Sequence, residues 1–598
     1  MIGQPRRRIP ARRPSRRTST LQPQPSPASR KRRKASSEDQ PELFGPVVEA
    51  TDPGELEAAA VEAPKPSRPS RPTKAERDRP PRETAESMAG RQRDISVSEF
   101  FAKNRHLLGF DNPGRALLTA VKEAVDNALD ACEEAEILPE VTVKLVQVAE
   151  DRFRITVEDN GPGIVKAQVP KVFGKLLYGS KFHRSRQSRG QQGIGISAAA
   201  MYGQLTTGQP TIIVSKTGAT QPANHYELNI DTKKNAAEKV REKTTFWERP
   251  HGTSVTIELE GAYKKGRRSV DDYVELTALA NPHARLVYHP PKDEPVTYER
   301  VTELLPVAPK EIQPHPHGVE LGVLATMLRD APQGELADAL VSSFSRVSRK
   351  VAEEICSKAG LAPTLSPRRL SISDAERLFR AIPQVKILAP STNCLSPIGE
   401  DLIRAALRRR VPDAEFVDSC TRTPTVYRGN PFQVEIGLAF GGSLPGDQLI
   451  EVHRFANRVP LQYQQSACAI TKAAMTVPWR NYQISQSSGA LPTAPMIVFA
   501  HVVSVWVPFT SESKEAIAGY DDILKEIRLG IMEVGRRLGI HIRKGRRRVD
   551  ELKKRAYIDA YLPHVGIALQ QILGLSDPQR EDTVSDLRSV LERTRKVV

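Results

Sequence analysis

The chain has 598 residues, more than one hydrophobic core usually supports, so its length predicts several domains. Its net charge of +17 suggests a nucleic-acid partner. However, residues 1–37 hold twelve of the 88 Lys and Arg residues and none of the 71 Asp and Glu residues. The charge is therefore mainly that of a tail, and a solvated tail explains it as well as a DNA contact does.

The cysteines argue against a protein built on zinc sites or disulfides, and the apolar residues argue against a membrane-spanning protein. The five cysteines lie far apart, without the paired short spacings of zinc sites or disulfide frameworks, which predicts reduced thiols in an intracellular protein. The most apolar run, residues 496–509, is shorter than the roughly 20 residues that a spanning helix needs. We expect no membrane partner, and a location in the cytoplasm or nucleoid of a prokaryote or the nucleus of a eukaryote.

The first half of the chain gives a clear order of elements. Residues 1–92 are rich in Pro, Arg, Ser and Glu, which predicts a disordered tail. Apolar residues at helical spacing predict a helix between Arg115 and Ala135. The following elements are two strands, a glycine-rich basic segment, a small-residue helix and two more strands, at 141–148, 153–158, 174–195, 196–202, 211–214 and 254–259.

The rest of the chain changes from helices to strands and back to a helix. Residues 315–388 are predicted to be helical, for example at 319–328 and 343–359. Strands at 432–440 and 496–507 follow, and then a helix that begins near Tyr520. The pattern predicts an α+β fold of several domains with a compact helical insert.

Three motifs carry candidate chemistry, and each is weak alone. On the first helix, Glu123, Asn127 and Asp130 share one face, so a general base lies beside an oxygen ligand for Mg²⁺. A strand ends in Asp159, followed by Asn160-Gly161-Pro162-Gly163, although an ordinary turn has the same composition. In Gly190-Gln191-Gln192-Gly193-Ile194-Gly195, free amide groups before a helix are suited to bind phosphate.

The order of these motifs is more specific than any one of them. The sequence argues against a phosphate loop of the Walker type, because residues 174–181 place Gly-Ser-Lys where Gly-Lys-Ser or Gly-Lys-Thr is required. A helix with Glu and Asn, a strand that ends in Asp, and a glycine-rich entry to a helix together resemble the Bergerat-type ATPases. Their fold is an α/β sandwich, and the family includes gyrase-like topoisomerases, chaperones and histidine kinases.

The resemblance to Bergerat-type ATPases implies ATP and Mg²⁺ as cofactors and assigns roles to individual residues. Glu123 is expected to activate water, Asn127 to bind Mg²⁺, and Asp159 to accept from the adenine amino group. The full nucleotide-binding set that it implies is Asn127, Asp159, Gly163, Ser180, Lys181, Gly190, Gln191, Gln192, Gly193, Ile194, Gly195, Thr253 and Lys514.

Longer segments narrow the resemblance. The segments SKFHRSRQSRGQQGIGIS, RFANRVPLQYQQSACAITKA and VPFTSESKEAI resemble the B subunits of type IIB DNA topoisomerases, the topoisomerase VI family. The resemblance implies an ATPase domain, a helix-two-turn-helix domain, a transducer domain with a ribosomal-S5-like fold and a C-terminal helical extension. We predict their bounds as 93–306, 307–395, 396–548 and 549–598.

The transducer resemblance adds candidate residues outside the ATPase domain. Lys514 follows a strand and a Ser-rich loop and precedes a helix, and the resemblance implies that it contacts the γ-phosphate. Trp479-Arg480-Asn481-Tyr482 resembles a DNA-contacting motif of this family, so Trp479, Arg480 and Tyr482 are candidate DNA contacts. The basic cluster at residues 543–548 is a candidate contact for phosphates or for the A subunit. A solvated helix end explains it equally well.

The resemblance implies an ATP-driven gate. Two copies are expected to dimerise on ATP, exchanging a strap near Ile95 to Leu108, and to capture double-stranded DNA. Cleavage is expected from a separate A-type subunit in an A2B2 heterotetramer. A histidine kinase is an alternative, but His106 is the only histidine before Glu123. A nucleotide-binding scaffold without turnover is the other alternative, and the presence of Glu123 weighs against it.

Overall fold

The computed structural model describes residues 84–181, 184–190, 193–511 and 513–594. The chain divides into two units, Met1–Arg91 and Gln92–Val598. In the first unit, the described residues form a short helix, α1 (Ala85–Ala89), whose first turn is capped by the Thr84 hydroxyl. Most of the predicted tail, residues 1–83, lies outside the described residues.

The second unit begins with the strap and the helix that carries Glu123. The strap contains helix α2 (Val97–Lys103) and a 3₁₀ turn (Arg105–Leu108), and it is followed by α3 (Pro113–Glu134). Asn112 caps α3 by accepting from the first backbone amides, and Pro113 fits the first helical position because it lacks an amide hydrogen. The predicted helix between Arg115 and Ala135 is therefore confirmed.

A large sheet supports α3. Its strands are β1 (Glu140–Ala149), β2 (Arg152–Glu158), β3 (Thr211–Lys216), β4 (Ala223–Asp231), β5 (Ala236–Thr245), β6 (Gly252–Glu260), β7 (Arg285–His289) and β8 (Val296–Tyr298). Their order is β5-β4-β3-β6-β2-β1-β7-β8, and neighbours are antiparallel except β1 and β7. The helices that share its apolar core are α3, α4 (Val169–Gly174), α5 (Gly195–Thr207) and α6 (Val270–Ala280).

The helical insert has its own apolar core. Its helices are α7 (Leu321–Asp330), α8 (Leu336–Ser343), α9 (Arg349–Ala359) and α10 (Ile372–Ala381). The prediction of one helix over 343–359 is wrong, because Ser343 ends α8 and Ser348 caps α9. Between them Arg346 has φ 61°, which a continuous helix does not allow.

The second α+β region is built on a smaller sheet. Its strands are β9 (Phe416–Thr421), β10 (Thr425–Tyr427), β11 (Asn430–Phe440), β12 (Glu451–Ala456), β13 (Val459–Pro460) and β14 (Met496–Ser504). Strand β14 lies between β11, which is antiparallel to it, and β12, which is parallel. All nine of its residues are buried, which explains the apolar run in the sequence as a central strand.

Four helices accompany this sheet: α11 (Glu400–Arg410), α12 (Ala469–Thr476), α13 (Asp521–Leu573) and α14 (Asp577–Thr594). Helix α13 has 53 residues and passes through the predicted domain bound at residue 548 without a break. At about 1.5 Å per residue it is roughly 80 Å long. Among the described residues, no helix combines the length and apolar character needed to cross a membrane.

The two sheets are joined through buried residues. Leu276 and Leu279 of α6 belong to the same apolar cluster as Leu407 of α11 and Phe455 and Phe499 of the second sheet. All five cysteines are buried and free, as the sequence predicted. The ATPase-like and transducer-like regions therefore share a continuous apolar junction, and the candidate site lies beside it.

Candidate functional site

A cavity of about 510 Å³ lies between α3, the ends of β2 and β6, and the glycine-rich segment 174–195. Every described residue of the predicted nucleotide-binding and catalytic set lines it. These residues are Glu123, Asn127, Asp159, Gly163, Ser180, Lys181, Gly190, Gly193, Ile194, Gly195, Thr253 and Lys514. Gln191 and Gln192 lie outside the described residues.

The carboxylate of Glu123 lies against the start of α5. A Cβ added at Gly195 would overlap Glu123 Oε2, so only glycine lets the helix start this close to the carboxylate. One turn along α3, Asn127 Oδ1 lies 3.9 Å from the position that a Cβ at Gly190 would occupy. A potential base therefore faces Gly195 and an oxygen ligand faces Gly190, near the end of the glycine-rich segment.

Asp159 forms the opposite wall of the cavity. Its Oδ1 accepts from the backbone amides of Gly161 at 2.8 Å and Thr253 at 3.1 Å. Burial raises the pKa of this carboxyl to about 6, although the two amides oppose the shift. Because both of these bonds end on Oδ1, Oδ2 is the oxygen available to a ligand.

Glycines let the backbone around Asp159 close tightly. Gly163 has φ 72°, and a Cβ there would overlap the carbonyl oxygen of Lys216. Gly252 has φ 138°, and a Cβ there would overlap the carbonyl oxygen of Asp159. Both positions favour glycine for conformation as well as for space.

The glycine-rich segment is held against α3 by charge. Lys181 Nζ lies 2.6 Å from Asp130 Oδ2, and Arg186 Nη2 lies 3.1 Å from Glu134 Oε1. The ammonium of Lys181, a predicted nucleotide ligand, is therefore paired with Asp130 in this conformation. Within the described residues, no side chain caps the start of α5, so its first amides remain suited to an anion.

Lys514 reaches the cavity from the transducer-like region. Its Nζ donates to the carbonyl oxygen of Arg189 at 3.1 Å. As predicted, a helix follows Lys514 in the chain, although α13 begins only at Asp521. Lys514 itself lies in a loop with φ 52°, a conformation that costs a non-glycine residue about 1 to 3 kcal/mol and is often found at functional sites.

The neighbours of Lys514 attach its loop to α3. Lys122 Nζ donates to the carbonyl oxygen of Ser513 at 3.3 Å. Arg115 donates to the Ser513 hydroxyl at 3.3 Å and forms an ion pair with Glu515. The loop is therefore fixed on both sides of Lys514, by the same helix that carries Glu123.

Sequence reasoning missed Arg189, which has the most extensive contacts near the site. Its guanidinium is buried and bonds Asp130, Glu133 and Asn281, while its carbonyl accepts from Lys514. A signal was present in the sequence, because the last two turns of α3 carry acidic side chains and the later glycine-rich segment carries basic ones. That complementarity predicts contact between the two but not which arginine is buried.

Comparisons with known proteins agree with this geometry. The family described as "Topoisomerase VI B subunit, transducer" matches residues 390–555, and "Histidine kinase-, DNA gyrase B-, and HSP90-like ATPase" matches residues 113–262. The B subunit of the type 2 DNA topoisomerase 6 of Methanococcoides burtonii is 49% identical over 82% of this chain and 79% of its own length. The chain belongs to the topoisomerase 6 B-subunit family.

A second relative supports the same assignment. The corresponding B subunit of Archaeoglobus fulgidus is 47% identical over 81% of this chain and 80% of its own length. The ATPase domain of Thermus thermophilus gyrase B overlaps 76% of this chain and 92% of its own, with 12% identity and a TM-score of 0.36, too weak a likeness to bear on function. Family membership confirms the predicted family, the fold class and the role of the ATP-dependent B subunit in a type II topoisomerase.

The structure revises the candidate DNA contacts of this topoisomerase-family chain. Trp479 is fully buried and donates its indole NH to the carbonyl oxygen of Ala474 at 2.8 Å, and Tyr482 is also buried. The prediction that Trp479 and Tyr482 contact DNA directly is therefore wrong for this conformation. Arg480 is exposed, and its guanidinium donates to the carbonyl oxygen of Gln486 at 2.8 Å and 3.1 Å.

Substituting Gly195 with Ala tests the contact between α5 and Glu123. The new methyl group must displace the carboxylate, which is the end of a flexible side chain, so the fold is expected to survive. A displacement of this size is expected to lower kcat for ATP hydrolysis by about 100-fold with little change in nucleotide affinity. Steady-state hydrolysis and equilibrium nucleotide binding measure the two quantities.

The matched control is Gly218→Ala, because nothing lies within 4 Å of the added methyl group. This variant is expected to hydrolyse ATP at the rate of the unmodified chain. Equal rates in Gly195→Ala and Gly218→Ala would mean that the position of Glu123 is unimportant for hydrolysis.

Proposed function

We propose that ATP binds with Mg²⁺ in the cavity between α3 and the glycine-rich segment, and that nucleotide-driven dimerisation captures a DNA duplex. The captured duplex then passes through a break made by a separate A-type subunit, within an A2B2 assembly, so that supercoils relax and linked circles separate. The observation that carries this proposal is the entry of Lys514, a transducer residue, into the cavity that Glu123 lines.

The side chains divide the chemistry of hydrolysis among them. Glu123 accepts a proton from the attacking water, and this proton transfer makes the water a stronger nucleophile. The free oxygen of Asp159 accepts from the adenine amino group, and Thr253 supports this carboxylate through its amide. The backbone amides at Gly193 to Gly195 and the positive end of α5 bind the phosphates.

The residues fit a magnesium ion held mainly by phosphate. Mg²⁺ requires oxygen ligands, keeps several waters and is usually bound through one or two protein oxygens together with substrate phosphates. Asn127 supplies one such oxygen at the glycine segment, and the described residues contain no cluster of three acidic, His or Cys side chains placed for a metal. Mg²⁺, when bound, neutralises phosphate charge during hydrolysis.

Lys514 links the chemistry to the gate. A lysine ammonium is a compact charge that is strongly attracted to a terminal phosphate and loses that partner after hydrolysis and release. Because its loop is attached to α3 and its chain continues into α13, movement of Lys514 is transmitted toward the long helix. The nucleotide state of the cavity thereby controls the transducer-like region.

The strap is suited to a second copy of the chain. In the single chain, the Ser98 hydroxyl donates to the carbonyl oxygen of Thr232 at 2.7 Å, so the strap packs on its own sheet. Ile95, Phe100 and Leu107 nevertheless leave 37 to 42% of their surfaces exposed. Burial of these apolar side chains against a second copy favours the ATP-dependent dimer.

Basic residues at the far end of the transducer-like region are suited to DNA phosphates. Residues 543–548 are mostly exposed on α13, and Arg546 Nη1 donates to Gln483 Oε1 at 2.8 Å. This contact joins the basic stretch to the short segment that carries Arg480, so both are candidates for one phosphate-binding surface. Phosphate contacts of this kind favour DNA without reading its sequence, while the A subunit remains the alternative partner for the same surface.

The proposal predicts that Glu123→Gln binds ATP but does not hydrolyse it. Glutamine keeps the size of the side chain beside Gly195 but cannot accept the proton, so kcat is expected to fall by about 100-fold to 10,000-fold. Hydrolysis is measured for the full-length chain with and without DNA, and supercoil relaxation after adding an A-type subunit. Full turnover in this variant would overturn the role of Glu123.

The raised pKa of Asp159 predicts a pH dependence of binding. Accepting from adenine favours the ionised carboxylate, so affinity is expected to fall as the pH drops through about 6, where this group becomes protonated. The Asp159→Asn variant is expected to bind ATP more weakly and to show no fall in affinity from protonation of residue 159. The phosphates of ATP titrate equally in both proteins, so the difference between their titrations isolates Asp159. Parallel titration curves would contradict the assignment.

A further inference from the structure

Arg189 is at the centre of a buried ion cluster. Its Nη1 lies 2.7 Å from Asp130 Oδ1, its Nη2 lies 2.6 Å from Glu133 Oε1, and Nη2 also donates to Asn281 Oδ1 at 2.6 Å. Only 4% of the side chain is exposed. An arginine fork held at three points, with its own side chain almost fully buried, fixes the adjoining backbone as well as the side chain.

The same stretch of backbone is also fixed from the transducer-like region. Asn457 Nδ2 donates to the carbonyl oxygen of Ser188 at 3.1 Å. Asn281, which holds the guanidinium, donates through Nδ2 to the carbonyl oxygen of Arg458 at 3.3 Å. These bonds do not involve Lys514, so the carbonyl of Arg189 has a fixed position whether or not Lys514 is bonded to it.

Lys514 uses this fixed carbonyl as its acceptor. The Nζ–O distance is 3.1 Å, and Lys514 lines the nucleotide cavity while the bond is made. A free lysine side chain samples many rotamers, and ordering it has an entropic cost of up to about 2 kcal/mol. The bond to Arg189 orders the side chain before nucleotide arrives, and a neutral carbonyl is a weak enough acceptor to lose Lys514 to a phosphate.

We propose that Arg189 is a positioning residue for Lys514: its clamped guanidinium holds its own carbonyl as the resting acceptor that keeps the ammonium at the cavity wall. This inference rests on the proposed function, in which Lys514 contacts the γ-phosphate. The inference identifies Arg189 as the residue that fixes the position of the Lys514 ammonium before nucleotide binds. Arg189 acts through Lys514 and does not itself contact the reacting atoms.

The test is a double-mutant cycle on the full-length chain, read out by steady-state ATP hydrolysis. Arg189→Lys keeps the charge but replaces the two nitrogens that bond Asp130, Glu133 and Asn281 with a single ammonium, so the clamp loosens and the carbonyl shifts. We expect kcat to fall about tenfold while KM changes less than about threefold, because nucleotide binding depends on other residues. In a Lys514→Ala background, the same substitution is expected to change nothing further, because residues that act as one unit are not additive.

Two further variants separate positioning from general damage. Arg154→Lys is the matched control, because Arg154 forms an ion pair with Glu258 on the large sheet and neither residue lines the nucleotide cavity. Its kcat is expected to stay within about twofold of the unmodified chain. If Arg189→Lys does not fold, Asn281→Ala removes one bond of the clamp without removing a charge. Its smaller loss of kcat must also vanish in the Lys514→Ala background.

The outcomes distinguish this inference from the proposed function. Losses of kcat that multiply in the double variant would mean that Arg189 acts independently of Lys514, which overturns the inference alone. An unchanged kcat in Arg189→Lys, with a loss in Lys514→Ala, would overturn it as well. Unchanged turnover in Lys514→Ala would overturn the proposed role of Lys514 and this inference together.

Discussion

The guanidinium of Arg189 is buried between α3 and α6 with two carboxylates, and the arrangement of the site depends on this cluster. Removing charges from water is costly, and their attraction offsets that cost only when each has a well-placed partner. Burial opposes ionisation of Glu133, but Arg189 and His283 hold the pKa of its carboxyl well below the usual range. The glycine-rich segment therefore cannot leave α3 at Arg189 without exposing or unpairing several charges, whereas its exposed residues are free to follow a ligand.

This constraint explains why one cavity receives residues from distant parts of the chain. Helix α3 presents Glu123 and Asn127 to the cavity, pairs Asp130 and Glu133 with Arg189, and holds the Lys514 loop through Lys122. A second buried chain of bonds continues into the transducer-like sheet. His501 accepts from the amide of Arg458 at 2.8 Å through Nε2, and its other ring nitrogen bonds Glu435 at 2.8 Å. Glu435 in turn accepts from the amide of Gly399, at the start of α11.

The sequence predicted the helices, strands and turns that are determined by residues close together in the chain. Helix α3 has a regular apolar spacing, and the glycines around Asp159 and Gly195 stand where the backbone must approach a neighbour closely. Strand β5 was not predicted, because it is largely exposed and its residues, such as Lys239 and Arg241, do not alternate between apolar and polar. The burial of Trp479 depends on packing between distant segments. Lys514 was identified by family resemblance, since its own sequence has no feature that distinguishes it from a surface lysine.

A structure of the full-length chain with Mg²⁺ and a non-hydrolysable ATP analogue tests the central claim most directly. We predict that the analogue lies in the cavity with its adenine at Asp159, and that Lys514 Nζ has left the Arg189 carbonyl for the γ-phosphate at about 3 Å. Glu123 is expected to face the same phosphate. An analogue bound elsewhere, or a γ-phosphate in the cavity with Lys514 still bonded to Arg189, would contradict the account.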